Sequence, residues 1–134
     1  MRCPSDVQPS GLRFIWSALA LTLIGCTTVQ NYDGERRTRD EVARISGDFP
    51  VTAGAPVTVI LRRVDDRSLA LREHAVEVLP GSHRLVVDCR IAETAATSRH
   101  VLDAEVSAGV RYRLVAETAP GLRGCASVRL QALD

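Results

Sequence analysis

Residues 84–91, RLVVDCRI, decide the fold, because apolar side chains alternate along them with side chains that are mostly charged. The apolar face of this run is formed by Leu85, Val87, Cys89 and Ile91. A period of two is typical of a β-strand that packs one face on a core and exposes the other to water. The stretch therefore predicts an amphipathic strand.

The same alternation continues on both sides of this strand. Its apolar positions are Val57, Val59 and Leu61, then Val76 and Val78, then Leu102, Ala104 and Val106, then Val110, Tyr112 and Leu114, and finally Ala126, Val128, Leu130 and Ala132. Several short strands separated by turn residues are typical of sandwiches and small barrels. We therefore predict an all-β domain over residues 41–134, a small antiparallel β-sandwich of about six or seven strands.

Turn residues fall between these runs. Residues 79–82, LPGS, have the proline and glycine positions of a type II turn, and residues 107–109, SAG, supply a glycine for a left-handed position in a short hairpin. Two stretches stay open: residues 41–46 are a short strand or a helical turn, and residues 67–73 are locally helical or a loop.

The N-terminus has the pattern of a secretory signal. Arg2 and Arg13 precede an uncharged stretch of 11 residues, 14–24. As a helix it is roughly 16 Å long, about half of a bilayer core, which is too short for a transmembrane span and suited to a signal peptide. We predict a signal peptide over residues 1–25.

Residues 23–26, LIGC, resemble the lipobox of bacterial lipoproteins. The resemblance implies cleavage between Gly25 and Cys26 and a diacylglyceryl group on the Cys26 thiol, with enough acyl chains for durable membrane attachment. It also implies the periplasmic face of the outer membrane, since Thr27 and not aspartate follows the cysteine. Residues 26–40 would then be the lipidated N-terminus and a flexible tether. The alternatives are an ordinary signal peptide and a buried N-terminal strand.

Several short stretches resemble a widespread group of uncharacterised proteobacterial lipoproteins. They are residues 32–34 (YDG), 40–43 (DEVA), 78–85 (VLPGSHRL) and 108–114 (AGVRYRL). The segment around residues 80–83 is also similar to a hairpin of PEGA-type domains, which are small β-sandwiches. The resemblance implies an address and a fold, not a chemistry. Residues 64–67, VDDR, lack the glycine of the first PEGA hairpin.

With Cys26 assigned to the lipid, the mature chain has two further cysteines, Cys89 and Cys125. An oxidising compartment makes them a disulfide candidate, and the alternative is two separate buried thiols. Cys125 falls out of step with the apolar face of its own strand, which runs against the bridge. Neither cysteine belongs to a CxxC motif, which disfavours zinc binding and redox catalysis.

Composition excludes further functions. All 17 basic residues are arginines, they are scattered among 16 acids, and the formal net charge is +1. This balance argues against nucleic-acid binding. The sequence suggests no cofactor and no metal site, because His74, His83 and His100 would have to converge with a carboxylate or thiolate to bind a metal ion. The acids Asp65, Asp66 and Glu73 could be read as an acid–base cluster, but solvated or capping carboxylates of a loop-rich stretch explain them more simply. No serine lies in a nucleophile elbow.

The expected function is a non-enzymatic envelope module with a protein or peptidoglycan partner. Arg84, Arg90, Arg111 and Arg113 either form one positive stripe or pair with acids on neighbouring strands, and we favour pairing. The alternative function is a lipoprotein inhibitor of an envelope-attacking hydrolase such as lysozyme. It would use the loop at 117–124, ETAPGLRG, which Cys125 would hold.

Overall fold

The computed structural model of the protein describes residues 28–50 and 54–133. The predicted signal peptide and Cys26 lie outside these ranges. Within them the chain forms nine strands, β1 (Thr28–Gln30), β2 (Ala43–Ser46), β3 (Val57–Val64), β4 (Arg67–Ser68), β5 (Ala75–Val78), β6 (Gly81–Ile91), β7 (Ala96–Val106), β8 (Arg111–Thr118) and β9 (Cys125–Leu133). A single 3₁₀ turn, Pro120–Leu122, precedes β9.

The strands form two sheets packed face to face, and the predicted all-β sandwich is confirmed. Sheet 1 has the order β1-β5-β2-β8-β9, and sheet 2 has the order β4-β3-β6-β7. Sheet 2 is antiparallel throughout, but in sheet 1 the pairs β1–β5 and β2–β8 are parallel. The sheets are thus not wholly antiparallel as predicted, because these pairs join strands that are distant in sequence and are linked through the other sheet.

The core is built mostly from the apolar positions that the alternation predicts, and Ala43, Ile45 and Val64 add to them. The buried cluster contains Ile45, Val76, Val78 and Leu114 from sheet 1 and Val59, Leu61, Val64, Leu85, Val87, Cys89, Ala104 and Val106 from sheet 2, with Ala43 beside them. Burial of these side chains between the sheets is the main stabilising contribution. The stretch at 84–91 lies in β6, which pairs with β3 on one side and with β7 on the other.

Two of the predicted turns connect the sheets and are not hairpins within one. The turn at 79–81 leads from β5 in sheet 1 to β6 in sheet 2, and the turn at 107–110 leads from β7 back to β8. Their glycines have the expected positive φ, +128° at Gly81 and +78° at Gly109. Alternation marks strands but does not say whether consecutive strands pair, so the hairpin prediction was wrong here while the turn positions were right.

A bulge explains why Cys125 is out of step with its strand. The β8–β9 register passes from Glu117↔Ser127 to Thr118↔Cys125 and so skips Ala126. One extra residue reverses the side-chain parity beyond it. Cys125 therefore packs against the core on the same side as Val128, and Ala126, which was predicted to be apolar-face, is exposed.

The segment predicted as a flexible tether is part of the domain from Thr28 onward. β1 adds to the edge of sheet 1 through β5, and Arg36 makes a bidentate ion pair with Glu77, its Nη2 lying 3.1 Å from Oε2. The amide of Gln30 donates to the carbonyls of Tyr32 and Gly34. The composition was misleading because backbone pairing and polar contacts, not apolar burial, hold this segment.

Candidate functional site

The predicted cleavage and lipidation residues, Gly25 and Cys26, lie outside the described residues. The sequence places one residue, Thr27, between Cys26 and the first residue of β1. The first described strand thus begins two positions after Cys26 in the sequence.

Cys89 and Cys125 form a disulfide. Cys89 lies in β6 of sheet 2 and Cys125 at the start of β9 in sheet 1, with 6.3 Å between their Cα atoms. The bond therefore joins the two sheets across the core. In the chain-entropy account, closing a loop with a sequence separation of 36 stabilises the fold by about 4 kcal/mol.

The three histidines lie apart and in different surroundings. His74 precedes β5 and its ring stands edge-on to that of Phe49, with 5.5 Å between the centroids. His83 is in β6 and His100 in β7. In residues 28–50 and 54–133, no three His, Cys, Asp or Glu side chains are arranged to hold a metal ion.

His83 joins two turns through its ring nitrogens. Its Nδ1 lies 2.7 Å from Oδ2 of Asp65, and its Nε2 lies 2.7 Å from the carbonyl oxygen of Leu79. Asp65 also accepts a hydrogen bond from the backbone N–H of Arg84 at 2.8 Å. Burial by itself raises the pKa of Asp65, but the hydrogen bonds from His83 and Arg84 outweigh it and lower that pKa. The arrangement holds the fold and leaves neither group facing a cleft.

The remaining acids of the predicted cluster do not converge on Asp65. Glu73 accepts a hydrogen bond from the N–H of Ala70 at 2.8 Å and so closes its own turn. Asp66 follows Asp65 in the β3–β4 turn and is exposed. The three carboxyl groups therefore do not form an acid–base pair of the kind general acid–base catalysis uses.

Ser98 and His100 form a pair that motif spacing did not reveal. Ser98 Oγ lies 2.9 Å from His100 Nε2, on the same face of β7. Residues two apart share a face of a strand, so the spacing itself was the missed signal. A nucleophile–base pair also needs a group to orient the base. In the described part of the chain no hydrogen bond to Nδ1 of His100 is formed, so the pair lacks that group.

The arginines do not form one stripe. Arg84 and Arg90 lie on β6 in sheet 2, and Arg111 and Arg113 lie on β8 in sheet 1, so the sandwich separates the two pairs. Two of the four arginines, Arg84 and Arg113, pair with acids among the described residues. Arg84 pairs with Asp103 on the neighbouring strand at 3.0 Å, and Arg113 pairs with Asp48, also at 3.0 Å.

The strongest charge cluster surrounds Asp88 on the outer face of sheet 2. Its side chain is only 7% exposed. It accepts hydrogen bonds from Arg99 Nε at 2.8 Å and from Arg62 Nε at 2.9 Å. The hydrogen bonds from Arg99 are the main reason that the pKa of Asp88 is lowered, with Arg62 adding to the effect against burial.

A groove of about 370 Å³ runs between the edge strands of the two sheets, β7 and β9. Its apolar lining consists of Leu102, Ala104, Tyr112, Val128 and Leu130, and its charged lining consists of Asp103, Glu105 and Arg129. An edge strand offers unpaired backbone groups that can pair with an extended segment. This concave surface, which we call the β7/β9 groove, lies between the two edge strands.

The predicted loop is tightly closed. The N–H of Ala119 donates to the carbonyl of Gly124 at 2.9 Å, and the N–H of Leu122 donates to the carbonyl of Ala119 at 3.1 Å. The disulfide at Cys125 fixes its C-terminal end. Arg123 is exposed on this loop and forms no ion pair with any other described residue.

No helix in the described ranges has the length and the apolar character that crossing a bilayer requires. Comparison with protein families, with curated proteins and with solved structures gives no match for this chain.

Proposed function

We propose that this chain is a lipid-anchored, non-enzymatic binding module of the bacterial envelope, held through Cys26 at the periplasmic face of the outer membrane. The observation that carries the proposal is the order of its parts. An uncharged stretch too short to span a bilayer is followed by LIGC at 23–26, and β1 begins at Thr28. A lipid on Cys26 would therefore lie next to the first strand of the folded domain.

The inter-sheet disulfide supports an extracytoplasmic location. Structural disulfides persist in oxidising compartments such as the periplasm and are rare in the cytosol. Cys89 and Cys125 are buried or half-buried at the core, as a structural bond requires.

The partner-binding surface in this proposal is the β7/β9 groove. Both of its walls are long edge strands, 11 residues in β7 and 9 in β9. Its apolar floor would take alternate side chains of an extended peptide while the edge supplies backbone hydrogen bonds. We therefore favour a protein partner over peptidoglycan.

Labelling tests the anchor. Radiolabelled palmitate fed to cells is expected to enter the wild-type protein and not a Cys26→Ala variant, and the wild-type protein is expected to sediment with outer membranes. An unlabelled wild-type protein that keeps residues 1–25, as read by mass spectrometry, would refute the proposal.

Crosslinking in intact cells tests the groove. A photoreactive amino acid at Leu102 is expected to capture a partner protein. The same group at Val101, which neighbours it on the opposite face and is 59% exposed, is the matched control. Equal capture from both positions would contradict a binding role for the groove.

A second function, inhibition of a lysozyme-like hydrolase, is favoured by the rigid loop at 119–124. Closed by the Ala119–Gly124 hydrogen bond and by Cys125, it presents Arg123 without an ion pair among the described residues. Purified protein would be mixed with lysozyme, and Arg123→Ala compared with Arg90→Ala as a control on the far sheet. Inhibition that Arg123→Ala alone abolishes would support this function, and no inhibition by the wild-type protein would remove it.

A further inference from the structure

Two large apolar side chains are exposed beside the point where the chain enters the fold. Phe49 is 42% exposed and Leu71 is 71% exposed, and Leu71 is the most exposed large apolar residue that the structure describes. Phe49 lies in the connection from β2 to β3, and Leu71 in the connection from β4 to β5. Single exposed apolar residues are ordinary on protein surfaces, so their position is what matters.

Strand pairing, a ring contact and a turn place both residues near Thr28. Thr28 pairs with Ala75 in the parallel β1–β5 ladder. His74 immediately precedes Ala75, and its ring contacts that of Phe49 at 5.5 Å between centroids. Leu71 lies in the turn closed by the Glu73 N–H to Ala70 carbonyl hydrogen bond, at 3.0 Å, which leads directly into His74. Phe49, Leu71 and the start of β1 therefore share one side of the sandwich.

The length of chain before β1 limits how far this side can be from an anchor at Cys26. Only Thr27 lies between Cys26 and Thr28, so even in fully extended chain their Cα atoms are at most about 7 Å apart. A lipid on Cys26 would thus hold this side of the domain against the lipid headgroups. No freely moving tether intervenes, because the segment from Thr28 is paired in sheet 1.

We propose that Phe49 and Leu71, together with the exposed Arg72, form a membrane-contact surface that seats in the headgroup and upper acyl region of the bilayer. The proposal rests on the proposed lipid anchor. Aromatic and leucine side chains partition into this interfacial layer, and arginine is attracted to anionic headgroups. The surface does not need to bind alone, because the acyl chains already keep it at high effective concentration.

This contact fixes the orientation of the domain. β1 is one edge of sheet 1 and β9 is the other, and β7 is the matching edge of sheet 2. With the start of β1 on the membrane, the β7/β9 groove lies at the opposite edge of the sandwich and stays clear of the bilayer. The anchor and the groove thus occupy opposite sides of the sandwich.

Tryptophan fluorescence of the lipidated full-length protein tests the proposal. Trp16 is the only tryptophan and lies in the predicted signal peptide, so Leu71→Trp and Phe49→Trp would each add a sole reporter to the mature chain. Val101→Trp is the matched control, since Val101 is also exposed but lies on β7 at the opposite edge. The proteins would be placed in vesicles of phosphatidylethanolamine and phosphatidylglycerol, with and without bromine on the acyl chains.

The expected result is a shift of Leu71→Trp and Phe49→Trp emission to shorter wavelength and its loss with brominated lipid, with neither effect for Val101→Trp. Equal behaviour of all three variants, with lipid present on Cys26 by mass spectrometry, would overturn the membrane contact and leave the anchor standing. Added iodide, a water-soluble quencher, would be used as a further measurement. Tryptophans that are protected from iodide but not quenched by brominated lipid would indicate self-association, which would also overturn the membrane contact. An unmodified Cys26 would overturn both proposals. Equal thermal midpoints of the three variants check that each is folded.

Discussion

Asp65 and His83 tie the β3–β4 turn to the start of β6, with 2.7 Å between Asp65 Oδ2 and His83 Nδ1. Asp65 does this from a left-handed backbone conformation, φ +52°. Aspartate is among the few residues other than glycine that adopt this region readily. A side chain that accepts two hydrogen bonds therefore stands where glycine would be the easier backbone choice.

Substitutions at Asp65 should separate these two contributions. Asp65→Ala loses both hydrogen bonds and keeps the backbone strain, so we expect a loss of about 2–3 kcal/mol in the free energy of unfolding. Asp65→Gly loses the hydrogen bonds but relieves the strain. We therefore expect its free energy of unfolding to be about 1 kcal/mol higher than that of Asp65→Ala and still lower than that of the wild type. Urea unfolding measures both. Equal stability of the two variants would show that the turn geometry is not what the residue serves.

Removing the disulfide should destabilise the fold without abolishing the apolar core between its two sheets. The Cys89→Ala/Cys125→Ala double variant is expected to lose about 4 kcal/mol in the free energy of unfolding, because its unfolded chain is no longer constrained. Urea unfolding with and without reductant makes the measurement, and the double variant should be insensitive to reductant. A wild-type protein whose unfolding midpoint does not move on reduction would contradict the expectation.

Acid should remove the contribution of Asp88. Because its pKa is lowered in the folded state, Asp88 stabilises the fold at pH values above the ordinary carboxyl pKa of about 3.9, and the contribution is lost as the pH falls through its lower folded value. Asp88→Asn should cost about 1–2 kcal/mol near neutral pH, and its difference from wild type should shrink in acid. Asp103→Asn is the control, since the Arg84–Asp103 pair is 66% exposed on both sides and should contribute little. A difference between Asp88→Asn and wild type that is constant with pH would contradict this account.

Gly47 directly follows β2 and packs against the backbone of β3. This position should not tolerate a side chain. A Cβ there would lie 2.8 Å from the backbone N of Leu61 and 2.9 Å from the carbonyl oxygen of Val59. Backbone atoms of a buried strand cannot give way cheaply, so Gly47→Ala should destabilise by about 1–3 kcal/mol. Gly124→Ala, where an added Cβ meets nothing within 4 Å, is the matched control. Thermal unfolding of the two variants decides the question, and equal melting temperatures would show that β2 and β3 can shift apart.

The long strands could be predicted because each carries its apolar face in period two, as Leu85 and Val87 do in β6. β1 could not, since Thr28–Gln30 is three residues long and mostly polar, and its pairing with β5 is set by a partner 47 positions away in the register Thr28↔Ala75. The β6–β7 hairpin also gave no signal. Its left-handed position is Ala95, φ +51°, where a glycine would have marked the turn.

The candidate sites divide in the same way. The disulfide could be predicted because an oxidising compartment favours a bond and two cysteines were left to form it. The apparent mismatch at Cys125 comes from a bulge that no local sequence pattern reveals. The β7/β9 groove could not be foreseen, because it depends on which strands end up at the two edges. Phe49 and Leu71 lie outside the alternating strands of the sequence, and only the course of the two connections shows that both are exposed at the same side of the fold.

If Cys26 carries the lipid that we propose, the single residue between it and β1 also limits how far the domain reaches. β7 has 11 residues and is about 36 Å long at the usual strand rise, so the domain would reach at most about 45 Å from the leaflet even with its strands upright. A partner would then have to come to the bilayer surface itself, which makes proteins resident at that surface the natural place to search.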